Sequence, residues 1–236
     1  MYNLDNNENN FSLNDIPTLN KEEGKEFKIL NFTDIQLYDL DSLKNTKIIH
    51  DEIKYLVDLT KPDLITLTGD QVWFNFNFLS VKRIIRWFDD LEIPWAPVFG
   101  NHDSGDEYNS AVFDTLKMCE LYEESEYCLF SRGPSNLGTY GNYLVNIKEN
   151  NKIIIDSGVA EKISTNQIDW VAWNCDKICE NNGEYARNLA FMHKPIPEFA
   201  LAYFFRESDE NVYQRKFVWC FNGKLNTIYK FLLFPP

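Results

Sequence analysis

Three apolar runs, each stopping at donor side chains, constrain this chain more than any other feature. The runs 28–34, 64–70 and 96–103 end in Asp34, in Gly69-Asp70 and in Gly100-Asn101-His102-Asp103. A fourth run, 189–193, ends in His193. Each reads as a buried strand. Strand ends on one edge of an open sheet converge, and that edge is where such sheets place their sites. Oxygen and imidazole donors gathered there can hold one or two divalent metals.

Amphipathic segments lie between the runs. Ile49, Ile53, Leu56 and Val57 mark one face of a helix, and Pro62 follows its end. A second helix is predicted over 79–91, stopped before Pro94. This β-α-β-α-β order implies parallel strands with helical crossovers. The second half differs. Segments 127–130, 140–147 and 152–155 are short predicted strands separated by turn residues, and they read as antiparallel hairpins. Ser164 and Gln167 form a capping box that opens a helix, which Asn182-Gly183 ends. A last helix is predicted near Ala200. The expected fold class is α+β, with two mixed sheets packed face to face and helices outside.

The chain has 236 residues, which suits one large domain. Residues 1–25 are rich in Asn, Asp and Glu and have little apolar periodicity. They are predicted to be a disordered polar arm, leaving 26–236 as the domain. The start lacks the basic and apolar regions of a secretory signal, and no run is long enough to span a bilayer. The expectation is a soluble, cytoplasmic protein without a membrane partner. A net charge of -13 opposes non-specific nucleic-acid binding, which needs cationic surface. Lys82, Arg83 and Arg86 are the one compact basic group and read as a solvated helix face. Five cysteines, an odd number, argue against a disulfide framework. Ile168, Val171, Ala172, Cys175, Ile178 and Cys179 repeat at helical spacing, so both thiols are expected in the core. His50, inside the first helix, reads as a surface or boundary residue.

The strand-end residues carry the chemistry. Asp34 and Asp70 supply hard oxygen donors, and Asp70, on the central strand, is placed to bridge two metals. Asn101 offers an amide oxygen and His193 an imidazole nitrogen. Two divalent cations would hold a phosphate and lower a water pKa from about 15.7 to about 7. The resulting hydroxide would attack phosphorus. His102 would protonate the leaving oxygen, with Asp103 orienting its imidazole. Asp34, Asp70 and Asn101 are separated by roughly one β-α unit each, about 30 residues.

These residues in this order resemble the calcineurin-like metallophosphoesterases. That family's signature is Asp-x-His, Gly-Asp, Gly-Asn-His-Asp/Glu, a later His and a final Gly-His-x-His. The match is Asp34-Ile35-Gln36, Gly69-Asp70, Gly100-Asn101-His102-Asp103 and His193. Thr68-Gly69-Asp70-Gln71, Gly141-Asn142-Tyr143 and His193-Lys194-Pro195-Ile196-Pro197-Glu198 resemble the purple-acid-phosphatase-like branch. The resemblance implies a four-layer α/β/β/α sandwich, two metals, and hydrolysis of a phosphomonoester or phosphodiester. It implies that Asp34 binds the first metal, Asp70 bridges, Asn101 and His193 bind the second, and His102 is catalytic.

Three departures stand out. Gln36 replaces the usual His and is a weaker ligand. Trp73 stands where purple acid phosphatases place an iron-ligating Tyr. No Gly-His-x-His follows His193, which reads as a C-terminally incomplete domain. Manganese, magnesium, iron or zinc remain candidates, at two sites or one, with oxygen-rich ligation favouring manganese or magnesium. The alternative function is a catalytically impaired phosphoesterase fold used as a binding or scaffold module.

Overall fold

The computed structural model describes residues 15–73, 77–103, 105–106, 109–110, 114–150, 152–158, 164–193 and 230–231. The parallel half forms as expected. Strand β2 (Ile29–Phe32) leads to helix α1 (Leu43–Thr60), then β3 (Leu64–Thr68), helix α2 (Phe78–Asp89) and β4 (Trp95–Val98). β2, β3 and β4 are parallel neighbours in that order. β3 is buried along its whole length, as a central parallel strand covered on both faces must be.

Polar side chains fix the β2/β3 register. Asn31 pairs with Thr66 across the ladder and accepts its hydroxyl proton at 2.7 Å. The Asn31 amide donates to Thr68 Oγ1 at 3.2 Å. A one-residue slip would bury these groups without partners. Strand β10 (Lys230–Phe231) pairs antiparallel with β2 at the sheet edge.

The second sheet is built from β1 (Thr18–Asn20), β7 (Val145–Glu149), β8 (Lys152–Gly158) and β9 (Arg187–Ala190), in the order β1-β7-β8-β9. β7 and β8 are an antiparallel hairpin, whereas β1 and β9 join in parallel. Helix α4 (Thr165–Asn182) precedes β9 and is capped as expected by Ser164 and Gln167. A two-stranded ribbon, β5 (Gly105–Asp106) with β6 (Asn109–Ser110), and helix α3 (Thr115–Glu123) complete the described elements.

Several sequence expectations are corrected. Of the predicted polar arm, residues 1–14 lie outside the described residues. Within the rest, Thr18–Asn20 is an edge strand anchored by Ile16, which is 4% exposed. Backbone pairing supplies that order, so no apolar pattern signals it. Segment 127–130 is not a named strand. It runs beside β4 through a single Trp95–Cys128 bridge. On α4 the buried face is Gln167, Trp170, Asn174 and Ile178, and Ile168 is 56% exposed. Burying the large Trp170 indole turns the helix away from the face predicted, and it leaves Cys175 and Cys179 half-buried. Helix α3 has no counterpart in the sequence reading. The helix predicted near Ala200 lies outside the described residues.

One core cluster joins the first sheet, α1, α2 and α3 with Phe130, Tyr143 and Val145. Its aromatic members touch in a chain through Phe32, Phe88, Trp95, Tyr122 and Phe130 to Tyr143. A smaller cluster packs Ile16, Leu137 and Leu144 against Trp170 of α4. Among the described residues, no helix is long and apolar enough to cross a membrane.

Candidate metal centre

The loops after β2 and β3 are zipped together by their backbones. Asp34 donates to the Gly69 carbonyl at 3.0 Å, Gln36 to Asp70 at 2.9 Å and Leu37 to Gln71 at 3.0 Å. Trp73 returns a bond to the Leu37 carbonyl at 2.9 Å. Asp34, Gln36 and Asp70 all have left-handed backbones, with φ of 55°, 49° and 53°. Side chains other than Gly enter that region at a cost of about 1–3 kcal/mol each, and such strain concentrates at functional sites. Here it points three donor-bearing residues out of the strand direction.

One ligand atom each from Asp34, Asp70 and His193 lies within 4.8 Å of the others. His193 comes from the end of β9, in the other sheet. Its Nδ1 is 3.0 Å from the Thr68 carbonyl oxygen. A carbonyl only accepts, so Nδ1 carries the proton and Nε2 is turned toward Asp70 Oδ2, 3.3 Å away. Orienting an imidazole through its far nitrogen is how metal-binding histidines are commonly held. Without a metal, the hydrogen bond to Asp70 pushes the His193 imidazole up to about 9, against the opposing effect of burial. Burial pushes the Asp70 carboxyl up, but its bonds to His193 and to the His102 N–H outweigh this and hold it below the usual carboxylate range. Thr33 Oγ1 donates to Asp34 Oδ2 at 2.6 Å and fixes that carboxylate.

Two glycines let these groups meet. A Cβ on Gly69 would fall 2.5 Å from His193 Nδ1, and one on Gly100 would fall 2.2 Å from Asp70 Oδ1. The glycines of Gly-Asp and Gly-Asn-His-Asp are therefore spatial requirements of the site.

The third loop carries Asn101, His102 and Asp103. The His102 backbone N–H donates to Asp70 Oδ1 at 2.9 Å, and its Nε2 lies 3.8 Å from Asp70 Oδ2. Its ring stacks on the Trp73 indole. Asn101 and Gln36 are half-buried on the loops beside the carboxylates. Asp103 is placed otherwise than the sequence predicts. Instead of orienting His102, its fully buried carboxylate accepts the backbone N–H of Asp70 at 2.8 Å, Gly100 at 2.7 Å and Val72 at 3.0 Å. It ties the β3 and β4 loops together. Burial pushes this carboxyl up to about 7, against the pull of its N–H donors.

Sequence reasoning missed the supporting set: Thr33, the Thr68 carbonyl and Gln71. Gln71 Nε2 donates to the Leu67 and Val98 carbonyls, bridging the ends of β3 and β4. The Gly141-Asn142-Tyr143 segment is also structural. Tyr143 donates its hydroxyl proton to the Pro97 carbonyl at 2.7 Å, and Asn142 accepts from Gln167 at 2.6 Å. The nearby tripeptide Thr66-Leu67-Thr68 offered only a strand signal, because a backbone carbonyl leaves no mark in sequence.

The donor set fits a hard divalent cation: two carboxylates and an imidazole of fixed tautomer, close enough to share one ion.

Known proteins resemble this chain to differing degrees. Phosphatase DCR2 of Saccharomyces cerevisiae is 23% identical over 171 residues, covering 62% of this chain. A probable cyclic nucleotide phosphodiesterase of Xenorhabdus bovienii is 23% identical over 121 residues, covering 48% of this chain. The matches span 29% and 45% of those relatives' own lengths. A solved structure of a protein of unknown function from Aquifex aeolicus is 16% identical, covers 76% of this chain and 100% of its own, and has a TM-score of 0.30. Residues 27–226 match the calcineurin-like phosphoesterases, and the chain belongs to that family.

Proposed function

We propose that this protein is a metal-dependent phosphoesterase that cleaves a phosphomonoester or phosphodiester. The observation that carries this reading is the convergence of Asp34, Asp70 and His193 within 4.8 Å at the ends of strands from two sheets. Asp34, Asp70 and His193 would hold the cation, with Asn101 and Gln36 as further oxygen donors. A divalent cation supplies positive charge for the phosphate and acidifies water. Asp70 sits between the two histidines and holds both in place, one through the His102 backbone N–H and the other through His193 Nε2. His102, the more exposed of the two histidines, gives a proton to the leaving oxygen as water attacks phosphorus from the opposite face. Asp103 acts on this chemistry only through the backbone it clamps. With a chain charge of -13, an anionic ester depends on that cation for attraction.

The oxygen-rich donors favour manganese or magnesium, with one metal or two. We place the chain in the purple-acid-phosphatase-like branch and in a four-layer α/β/β/α arrangement, on the flanking motifs quoted above. Trp73 has no donor lone pair for iron, so a coloured iron–tyrosinate centre is not part of the proposal. The described cysteines are unbridged, which accords with a reducing, cytoplasmic setting. The test is hydrolysis of an aryl phosphate and its bis-ester with manganese present. Wild type is expected to turn over at least one of them, and Asp70→Asn and His102→Ala to lose about 10²-fold or more. Equal background rates in all three would replace this reading with that of a binding module.

A further inference from the structure

We propose that Trp73 is the positioning residue for His102, resting on the reading of His102 as proton donor. The two rings lie face to face, with centroids 4.4 Å apart and planes 19° from parallel. Asp70 holds the His102 backbone and faces its ring. The His102 backbone N–H is held by Asp70 Oδ1 at 2.9 Å, and Nε2 lies 3.8 Å from Asp70 Oδ2. With the backbone held, the remaining freedom of the side chain is rotation about its two χ angles. A flat aromatic wall on one face removes the rotations that swing the ring out of plane. The His102 side chain keeps 26% of its surface exposed.

Trp73 is itself anchored for this. Its backbone N–H donates to the Leu37 carbonyl, and the preceding Val72 backbone N–H donates to the buried Asp103 carboxylate at 3.0 Å. Both bonds belong to the scaffold that holds Asp34 and Asp70, so the Trp73 backbone is fixed to the loops that carry these carboxylates. The indole is 37% exposed, while Trp95 and Trp170 are 0% and 2% exposed in the core. Indole offers no lone pair to a metal, so Trp73 acts through His102.

The test uses the full chain as wild type, Trp73→Ala, Trp73→Phe, His102→Ala and the Trp73→Ala/His102→Ala double variant. The chain has three histidines, so imidazole proton resonances are few, and His102 is assigned by their loss in His102→Ala. The stack predicts an upfield ring-current position for His102 in wild type and Trp73→Phe, moving to that of an unstacked imidazole in Trp73→Ala. In hydrolysis, Trp73→Ala is expected to lower kcat at least about tenfold, part of the 10²–10⁴ that a proton donor contributes, with KM within about twofold. Phe should restore most of the loss, and the double variant should be no slower than His102→Ala. An unmoved His102 resonance in Trp73→Ala, or a further loss of rate when Trp73 is removed from His102→Ala, would overturn the proposal. Should wild type hydrolyse no ester, the phosphoesterase reading fails. The resonance then decides the positioning role alone, a shift upholding it and no shift overturning it.

Discussion

Adding one methyl group at Gly100 should take the centre apart. A Cβ there would lie 2.3 Å from the Asp70 backbone N and 2.2 Å from its Oδ1. Ordinary contact begins at 3.4 Å, so the overlap is about 1 Å. The carboxylate oxygen can rotate away only by leaving the His102 N–H that it accepts. The backbone N cannot rotate at all, because it donates to the buried Asp103 carboxylate at 2.8 Å. Relief requires the β3 and β4 loops to separate, which also stretches the Gly100 N–H bond to Asp103. Overpacking costs about 1–3 kcal/mol. Weakening a hydrogen bond to a buried charged group adds about 1.5–3 kcal/mol. At roughly 2–4 °C per kcal/mol for a domain of this size, the Tm of Gly100→Ala should fall by at least about 5 °C. Thermal unfolding with chelator and with manganese measures this, and titration calorimetry should find manganese affinity lost. Gly138→Ala is the control. Its φ is +77° with nothing within 4 Å of the new Cβ, so it carries backbone strain but should bind manganese as wild type does. A Gly100→Ala protein with Tm within about 2 °C of wild type and unchanged manganese affinity would refute the reasoning.

Other outcomes follow from the same structure. His193 must lose its Nε2 proton to bind a metal, and its imidazole sits at about 9 in the metal-free site. Manganese affinity should therefore rise with pH by up to about tenfold per unit between pH 6 and 9, read by calorimetry in buffers of different ionisation enthalpy, with proton release. A flat profile would count against His193 as ligand. The same raised value stabilises the metal-free fold most below the ordinary histidine range, and this contribution is lost as pH rises through about 9. Ser164→Ala removes the capping box of α4 and should cost about 1 kcal/mol, or roughly 2–4 °C in Tm, without changing the rate of ester hydrolysis. Burial pushes the Cys119 thiol up to about 12 and Cys128 higher than an ordinary thiol. A short alkylation pulse at pH 8, mapped by mass spectrometry, should leave both unlabelled and, among the described cysteines, mark the half-buried Cys175 and Cys179.

The first half of the fold was legible because parallel buried strands are continuous apolar runs, and each helix between them carried a clear face. β1 was not legible, since three residues of edge pairing need no apolar pattern. The face of α4 was misjudged because spacing counts apolar positions equally, whereas packing gives most weight to Trp170. At the site, residue types named the donors Asp34, Asp70 and His193, and the backbone placed them together. The role of Asp103 was misread because three backbone N–H groups, invisible in sequence, compete for its carboxylate. Trp73 drew notice only as a missing ligand, and its stacking on His102 depends on the zipped loops that no local pattern encodes.

The central claim is that Asp34, Asp70 and His193 hold a metal. Its most direct test is the metal content of protein purified with manganese and freed of loose ions, compared with that of Asp70→Asn and His193→Ala. Wild type should retain at least about one metal per chain and both variants far less, because each loses one of the few donors of fixed geometry. A wild type carrying no more metal than the variants would contradict the account.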